Sequence, residues 1–303
     1  MSTFRHVALA GPTASGKSAL ALAIAQHVDA FELVSVDSMQ VYRGMDIGTA
    51  KPSVAERELV PHHLIDLVDP DEEFALAQFQ RAARDVIADI EARGKRALLV
   101  GGTGLYLQAI TDNFEMPGQF PEVREEVELE LDTRVLFSRL LALDPLAASR
   151  MEPDNRRRIV RALEVTLGGG RPFSSYGPGI GAYPETPFRL LALRMDAECN
   201  AARIEARVDA MFEMGLVQEV RSLNERYELA KTAKQALGYK EILDSLDALD
   251  LGTAAEEIKR RTRSFARRQR VWFRRDPRFT FFDVDENPLE ALPAILHAVS
   301  RPE

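Results

Sequence analysis

The chain has 303 residues, of which 46% are hydrophobic and 28% charged, and its formal net charge is -8. This composition is typical of a globular protein with one large domain or two. The single cysteine, Cys199, excludes a disulfide framework and a multi-cysteine metal site, which suits a reducing compartment.

The N-terminal stretch MSTFRHVALAG has too few consecutive apolar residues for a signal peptide, and no window approaches the roughly 18 that a membrane span needs. We therefore expect a cytoplasmic protein that does not enter a membrane. The pair His62 and His63 lacks the spacing of a zinc site, and we expect packing and turn roles for both.

A phosphate-binding motif follows the first apolar run. The stretch GPTASGKS, residues 11–18, lies between HVALA and ALAIAQHV, so a strand leads through a glycine-rich loop into a helix. The glycines let backbone N–H groups face an anion, the helix N-terminus adds partial positive charge, and Lys17 adds a full charge. Ser18 supplies a hydroxyl for Mg2+. The motif predicts a site for two linked phosphates; the alternative is a glycine-rich turn without a ligand.

Strand and helix signals alternate through the first hundred residues, which predicts an α/β fold: a P-loop NTPase-like parallel sheet flanked by helices. Polar or glycine-rich loops follow three of the strands. Because ligands collect at the carboxyl ends of parallel strands, we expect these loops to converge on one site. The predicted strands are 5–10, 32–36 and 96–100, the helices are 17–28 and 75–93, and the loops are 11–18, 37–49 and 101–106.

The pattern changes near residue 115, where charged amphipathic helical stretches follow one another without a strand signal. Residues 115–186 are predicted to form an all-helical insertion domain, and residues 1–114 and 187–303 the catalytic core. A Gly/Pro-rich segment closes the insertion. A strand at 188–195 then returns to the sheet. The predicted helices are 122–143 and 155–167 in the insertion, and 201–227, 234–246 and 254–274 after it.

Two polar residues near strand ends are candidates for chemistry. Asp37 closes the apolar run ELVSV beside the phosphate loop, where a carboxylate can accept a proton from a nucleophile or hold Mg2+ indirectly. An aspartate that only caps the following turn is the alternative. Thr103 lies in GGTGLY, which could equally be a tight turn before a helix.

Two basic tracts predict a polyanionic partner. Arginines cluster at 156–161, and residues 259–278 hold ten Lys or Arg against the single acid Asp276. Phe265 and Trp272 lie among these arginines. Arginine pairs with phosphates and aromatic rings stack on unpaired bases, so the second tract favours a nucleic-acid interface. The alternative is a charged helix whose aromatic residues lie in the core.

Seven motifs occur in the order found in the tRNA dimethylallyltransferases, also called tRNA isopentenyltransferases, and the chain resembles the bacterial members of that family. They are GPTASGKS, VSVDSMQVYRGMDIGTAKPS, PHHLID, LVGGTGLY, RRRIVRALEV, ALGYKEI and RRQRVWFR. The chain lacks the Cys/His pairs of the zinc-finger extension of eukaryotic relatives. It also carries Ser18 where relatives often have Thr, and GGGRPFS in place of a common T-G-[KR]-P form.

The resemblance implies transfer of a dimethylallyl group from dimethylallyl diphosphate to the exocyclic N6 of the adenine on the 3′ side of the anticodon. The partners are then dimethylallyl diphosphate and the anticodon stem-loop of tRNA, and the cofactor is Mg2+. We expect a monomer. Two alternatives remain: a P-loop kinase of a small metabolite, which uses the same loop for ATP, and an RNA-binding NTPase without transferase activity.

The resemblance also implies roles for individual residues. Asp37 accepts the proton of the amine, and Thr103 aligns the reaction. The diphosphate is bound by Gly11, Pro12, Thr13, Ala14, Ser15, Gly16, Lys17 and Ser18, with Ser18 nearest the metal, and by Arg221. The tRNA is contacted by Asp37, Ser38, Met39, Gln40, Arg157, Arg158, Ile159, Val160, Arg161, Gln235, Ala236, Leu237, Gly238, Tyr239, Lys240, Arg267, Arg268, Gln269, Arg270, Trp272 and Arg274.

Overall fold

A six-stranded parallel sheet forms the centre of the core that the sequence predicts at residues 1–114 and 187–303. The computed structural model describes residues 5–246 and 251–300. The sheet order is β3-β2-β4-β1-β5-β6, with every pairing parallel, which confirms the predicted α/β class. The strands are β1 His6–Ala10, β2 Phe31–Val36, β3 His62–His63, β4 Arg96–Gly101, β5 Phe188–Arg194 and β6 Thr280–Asp283.

Helices precede and follow these strands in the α/β pattern that a parallel sheet requires. They are α1 Lys17–His27, α2 Val54–Leu59, α3 Leu76–Ala92, α4 Gly104–Thr111, α5 Pro121–Glu128, α6 Thr133–Leu143, α7 Pro145–Ala148, α8 Arg156–Gly168, α9 Ala197–Glu213, α10 Leu216–Arg226, α11 Lys231–Lys234, α12 Tyr239–Ser245, α13 Leu251–Arg275 and α14 Leu292–Ser300. No helix in the described ranges is long and apolar enough to cross a membrane.

Both faces of the sheet are buried, as parallel sheets require. Side chains alternate along β1: Ala8 and Ala10 join the core beneath α3, α4, α9 and α13, whereas Val7 and Leu9 join the core beneath α1 and α14. This period of two follows from the pleat of a strand. The alternation fixes the sheet between two helical layers and leaves its carboxyl edge to the loops.

The chain divides into two compact units, Met1–Asp112 with Tyr183–Glu303, and Asn113–Ala182. The second unit, which we call the insertion unit, has a core of its own that includes Leu136, Leu140, Ile159 and Leu163. It contains only helices and short turns, where the sequence predicts a helical domain at 115–186. At the exit from the first unit, the Thr186 hydroxyl donates a hydrogen bond to the Thr111 carbonyl at 2.7 Å.

Several boundaries differ from the sequence predictions. The helix predicted at 122–143 is two helices, because Asp132 accepts the Arg134 N–H and begins α6. The helix predicted at 201–227 is broken at Gly215, whose φ of 99° is left-handed. Strands β3 and β6 were not predicted, since two and four residues carry too little periodicity.

Candidate active site

The phosphate-binding loop connects β1 to α1. Ala14 and Gly16 have left-handed φ values of 61° and 84°, and α1 begins at Lys17. The first N–H groups of α1 have no intrahelical partner and face the space before the helix, which also carries the positive end of the helix dipole. The Ser15 hydroxyl is fully buried there with no hydrogen-bond partner among the described residues. The loop thus has the form of an anion cradle.

Three charged side chains interact at this edge of the sheet. Burial, and to a smaller extent the nearby Arg207, lower the pKa of Lys17 to about 8, although Asp37 opposes both effects. Burial likewise lowers the pKa of Arg207, again opposed by Asp37. Two cations therefore face one carboxylate, and the cluster has a positive charge that an anionic ligand would neutralise. Arg207, on α9, was not among the predicted site residues.

A cavity of about 600 Å3 opens beside the loop. The predicted pair Asp37 and Thr103 lines it together with Thr13, so the three strand-end loops do converge. Residues predicted to contact tRNA also line it, namely Ser38, Met39, Gln235, Ala236, Leu237, Gly238 and Arg268. The apolar part of its wall is formed by Ile204, Val208, Met211, Leu216 and Ile258. The cavity therefore combines a charged end with an apolar wall.

Asp37 uses one carboxylate oxygen to cap a turn and leaves the other unbonded among the described residues. Its Oδ1 accepts the Met39 N–H at 2.9 Å, so it caps the turn that follows β2. Its Oδ2 accepts no hydrogen bond from the described residues, and the half-buried side chain lines the cavity. The turn-capping interpretation and the chemical one thus hold together, because one oxygen fixes the carboxylate and the other stays available.

The loop after Asp37 is held by the half-buried carboxylate of Glu219. The Glu219 carboxylate accepts the N–H groups of Asp46, Ile47 and Gly48 at 3.0, 2.7 and 3.2 Å. It also accepts the hydroxyl of Tyr239 at 2.5 Å. Burial and this carboxylate raise the pKa of Tyr239. The cavity wall at Gly48 is consequently fixed from α10 and α12.

Four of the residues predicted to contact tRNA have buried side chains. Ile159 and Val160 lie in the core of the insertion unit. The Tyr239 hydroxyl is bonded to Glu219, and Gln269 is bonded to backbone atoms of two loops. A sequence signal could have found Gln269: it shares a helical stripe with Thr262, Ala266 and Phe273, all buried.

The other residues predicted to contact tRNA differ in their exposure to solvent and in their internal hydrogen bonds. Arg157, Arg158, Arg267, Arg268 and Arg274 are exposed. Of these, Arg268 donates a hydrogen bond to Ser264 Oγ at 3.1 Å. Four others also make internal hydrogen bonds: Gln40 to the carbonyls of Thr49 and Ala50, Arg161 to Glu164, Lys240 to Asp244 and Arg270 to Asn200. Trp272 is half-buried, with its ring against Gly104.

The predicted diphosphate contact of Arg221 has no support from the lining of the cavity. Arg221 is exposed on α10, and it is not one of the described residues that line the cavity. Arg207 instead lies beside Ile204, Val208 and Met211 on the face of α9 that lines the cavity. A stripe of apolar residues interrupted by one arginine is the signal that could have identified Arg207.

The residues present fit Mg2+ only together with a phosphate ligand. Within the described ranges there is no group of three or more His, Cys, Asp or Glu that could hold a metal ion. Mg2+ in proteins commonly takes one or two protein ligands and completes its shell with phosphate oxygens and water. The exposed Ser18 hydroxyl beside the loop is the kind of donor that this arrangement uses.

Comparisons with known proteins agree on one family. A family model described as IPP transferase matches residues 40–276, and one described as isopentenyl transferase matches residues 5–67. A tRNA dimethylallyltransferase from Moorella thermoacetica is 47% identical over 95% of this chain and 93% of its own.

Solved structures support the same assignment. The full-length tRNA isopentenylpyrophosphate transferase from Bacillus halodurans is 38% identical over 98% of both chains, with a TM-score of 0.70. A eukaryotic dimethylallyltransferase acting on tRNA superimposes with a TM-score of 0.81, at 29% identity over 97% of this chain and 77% of that one. The chain therefore belongs to the tRNA dimethylallyltransferase family, whose members have a P-loop NTPase-like fold.

Proposed function

We propose that this chain transfers the dimethylallyl group of dimethylallyl diphosphate to the exocyclic N6 of the adenine on the 3′ side of the anticodon in tRNA, and releases diphosphate. One observation carries the proposal: a single cavity combines Asp37 and Arg207 with an apolar wall, beside a phosphate loop. A loop that holds a phosphate for phosphoryl transfer also stabilises a departing diphosphate.

The diphosphate lies in the loop 11–18, where N–H groups, Lys17 and Arg207 surround it. The negative charge of the bound diphosphate favours the protonated form of Lys17. The pKa of Lys17, about 8 in the free site, therefore rises on binding. The five-carbon tail lies along Ile204, Val208 and Met211, which exclude water from the reacting carbon. This assignment uses both halves of the cavity.

In the reaction the adenine N6 attacks C1 of the dimethylallyl group. The N6–C1 bond forms, the C1–O bond breaks with its electron pair going to the diphosphate, and the proton of N6 passes to the free oxygen of Asp37. General-base assistance of this kind contributes about 10²- to 10⁴-fold. Thr103 lines the same cavity and aligns the reacting groups. Ser18 would hold Mg2+, which when bound would supply positive charge to stabilise the leaving group.

The adenine must leave the stack of the anticodon loop to reach Asp37, at a cost of roughly a few kcal/mol. Exposed arginines on α8 and α13 contact the phosphates of the anticodon stem-loop and offset this cost. We propose that the insertion unit takes part in this contact, and that the protein acts as a monomer in the cytoplasm.

Incubation with labelled dimethylallyl diphosphate, Mg2+ and unmodified tRNA tests the proposal. We expect label in tRNA at the adenine next to the anticodon, and no transfer when that adenine is replaced by guanosine. Transfer of the γ-phosphate of ATP to a metabolite, with unlabelled tRNA, would favour the kinase alternative. RNA-stimulated ATP hydrolysis without prenyl transfer would indicate an NTPase. Omission of Mg2+ should lower the rate.

Replacement of Asp37 by asparagine tests the base. Asparagine keeps an oxygen for the Met39 N–H, so the turn remains while the proton acceptor is lost. We expect kcat to fall about 10²- to 10⁴-fold, with the dissociation constant of the stem-loop RNA unchanged. A large loss of RNA affinity with normal turnover would contradict the role of Asp37 as base.

A further inference from the structure

A buried glutamine joins two of the loops that form the site. Gln269, on α13, accepts the Thr13 N–H through Oε1 at 2.8 Å. Its Nε2 donates to the Gly102 carbonyl at 3.0 Å. The side chain is only 6% exposed, so both ends of the amide are used inside the protein. One side chain therefore connects the phosphate loop to the loop that carries Thr103.

The close approach at Gly102 indicates a tight fit. A Cβ atom on Gly102 would lie 2.2 Å from Nε2 of Gln269 and 3.3 Å from the Gly11 carbonyl. Any other residue at position 102 would displace either the amide or the phosphate loop. The glycine thus permits the contact that Gln269 makes.

Further side chains hold the same point of the phosphate loop. Asn200 donates to the Thr13 carbonyl at 2.9 Å, and Arg270 donates to Asn200 Oδ1 at 2.8 Å. Arg203 donates to the carbonyl of Ala14 at 2.8 Å, where the backbone is left-handed. Both backbone polar groups of Thr13 are consequently bound by side chains of α9 and α13, so they do not face a ligand.

We propose that Gln269 is a positioning residue that sets the separation of the phosphate loop from Thr103 and thereby aligns the diphosphate with the attacking base. It touches neither substrate; it acts through the Thr13 N–H and the Gly102 carbonyl. The proposal rests on the proposed function, because alignment is required only if the loop holds a leaving group next to Thr103.

The variant Gln269→Met tests the proposal, because methionine matches the length of glutamine and makes neither hydrogen bond. We expect kcat to fall about 100-fold, as a misplacement of about 1 Å does in other enzymes. The inhibition constant of inorganic pyrophosphate should rise about tenfold, because the Thr13 end of the loop is released. The dissociation constant of the anticodon stem-loop should stay within about twofold, since the side chain does not reach the surface.

Gln80→Met is the matched control. Gln80 is also a buried glutamine of the first unit, and its Nε2 donates to the Ala109 carbonyl at 2.7 Å. It should lower the melting temperature like Gln269→Met, yet leave kcat and the pyrophosphate inhibition constant unchanged. A general loss of stability would affect both variants alike.

Asn200→Ala provides a second, independent variant if Gln269→Met does not fold. It releases the Thr13 carbonyl and leaves the Gly102 contact in place. It should weaken pyrophosphate inhibition, and its effect should be less than additive with that of Gln269→Met because both act on Thr13.

Normal kcat and pyrophosphate inhibition in a folded Gln269→Met variant would overturn the proposal. So would a selective loss of stem-loop affinity, which would indicate a direct RNA contact instead. Absence of prenyl transfer by the unaltered protein refutes the proposed function, whereas these outcomes in an active enzyme refute only the role of Gln269.

Discussion

Lys17, Asp37 and Arg207 form a cluster whose charge depends on pH. Burial moves the pKa of Lys17 down to about 8, so the side chain titrates just above neutral pH in the free site. Below that pKa the lysine is charged and attracts the diphosphate, and above it the attraction is lost. The depressed pKa is thus a direct cause of pH-dependent substrate binding.

We expect the affinity for inorganic pyrophosphate to fall as pH rises through about 8, by up to about tenfold per unit. Calorimetric titrations at about pH 7 and about pH 9 would measure this. Lys17→Met supplies the control, since it binds weakly at every pH and reports only the titration of the ligand. An equal slope in both proteins would contradict the assignment of the transition to Lys17.

The two arginines, Arg207 and Arg221, can be distinguished by matched variants. Arg207→Met should raise KM for dimethylallyl diphosphate and lower kcat, because the loss of one preorganised donor costs about 10²- to 10³-fold in related charge-stabilising sites. Arg221→Met should leave both values near those of the unaltered enzyme, since Arg221 is exposed outside the cavity. A large effect of Arg221→Met with no effect of Arg207→Met would instead support the sequence prediction that Arg221 binds the diphosphate. Steady-state kinetics with saturating tRNA is the measurement.

The candidate site residues fall into two groups: those that a short sequence motif identifies, and those whose place in the site depends on helix packing. Asp37, Thr103 and the loop 11–18 follow strand ends in the chain, so topology brings them together and the sequence predicts their convergence. Arg207 and Gln269 lie within helices, and their orientation depends on how α9 and α13 pack on the sheet. The apolar stripe of each helix indicates that both residues face inward, but the loops that they reach depend on this packing, which no local pattern encodes.

Helix α13 is divided electrostatically along its length. In its first half the cations are paired: Lys259 with Asp209 and Glu256, and Arg263 with Glu205. In its second half Arg267 and Arg274 are exposed and have no acidic partner among the described residues. Arg268 is exposed and lies over the Phe265 ring at 5.7 Å. Only the second half presents unneutralised charge to a polyanion.

The salt dependence of tRNA binding tests this division. Each phosphate contact contributes about -0.7 to -0.9 to the slope of log affinity against log salt. Replacement of Arg267 and Arg268 by glutamine should flatten the slope by about two such contacts. Replacement of Lys259 and Arg263 by glutamine changes the net charge equally, but should leave the slope unchanged because these cations are already paired. Equal slopes for the two pairs would contradict the division.

Element boundaries show what the sequence predicts at this scale. The strands of the central sheet that exceed four residues were all predicted, because each is rich in apolar residues. The helix breaks at Asp132 and Gly215 were not predicted. Asp is a known signal for the start of a helix, and Gly is a known signal for its end. Amphipathic periodicity continues across such breaks, which hides them.

The whole molecule has separate hydrophobic cores in its two units. Leu140 is fully buried in the insertion unit. Leu140→Ala should destabilise that unit by about 2–5 kcal/mol. Calorimetry should then resolve two unfolding transitions, and the melting temperature of the first unit should not change. A single transition that shifts as a whole would mean that the units unfold cooperatively.

The hydrogen bond between Thr186 and Thr111 has a consequence for how the chain can vary in length. It closes the chain where the polypeptide leaves the sheet and returns to it, so the register of β5 against β1 does not depend on what lies between. Doubling the length of a closed loop costs only about 0.6 kcal/mol in entropy. Homologues can therefore have a longer or shorter insertion between these two threonines while the active-site loops of the first unit keep their geometry.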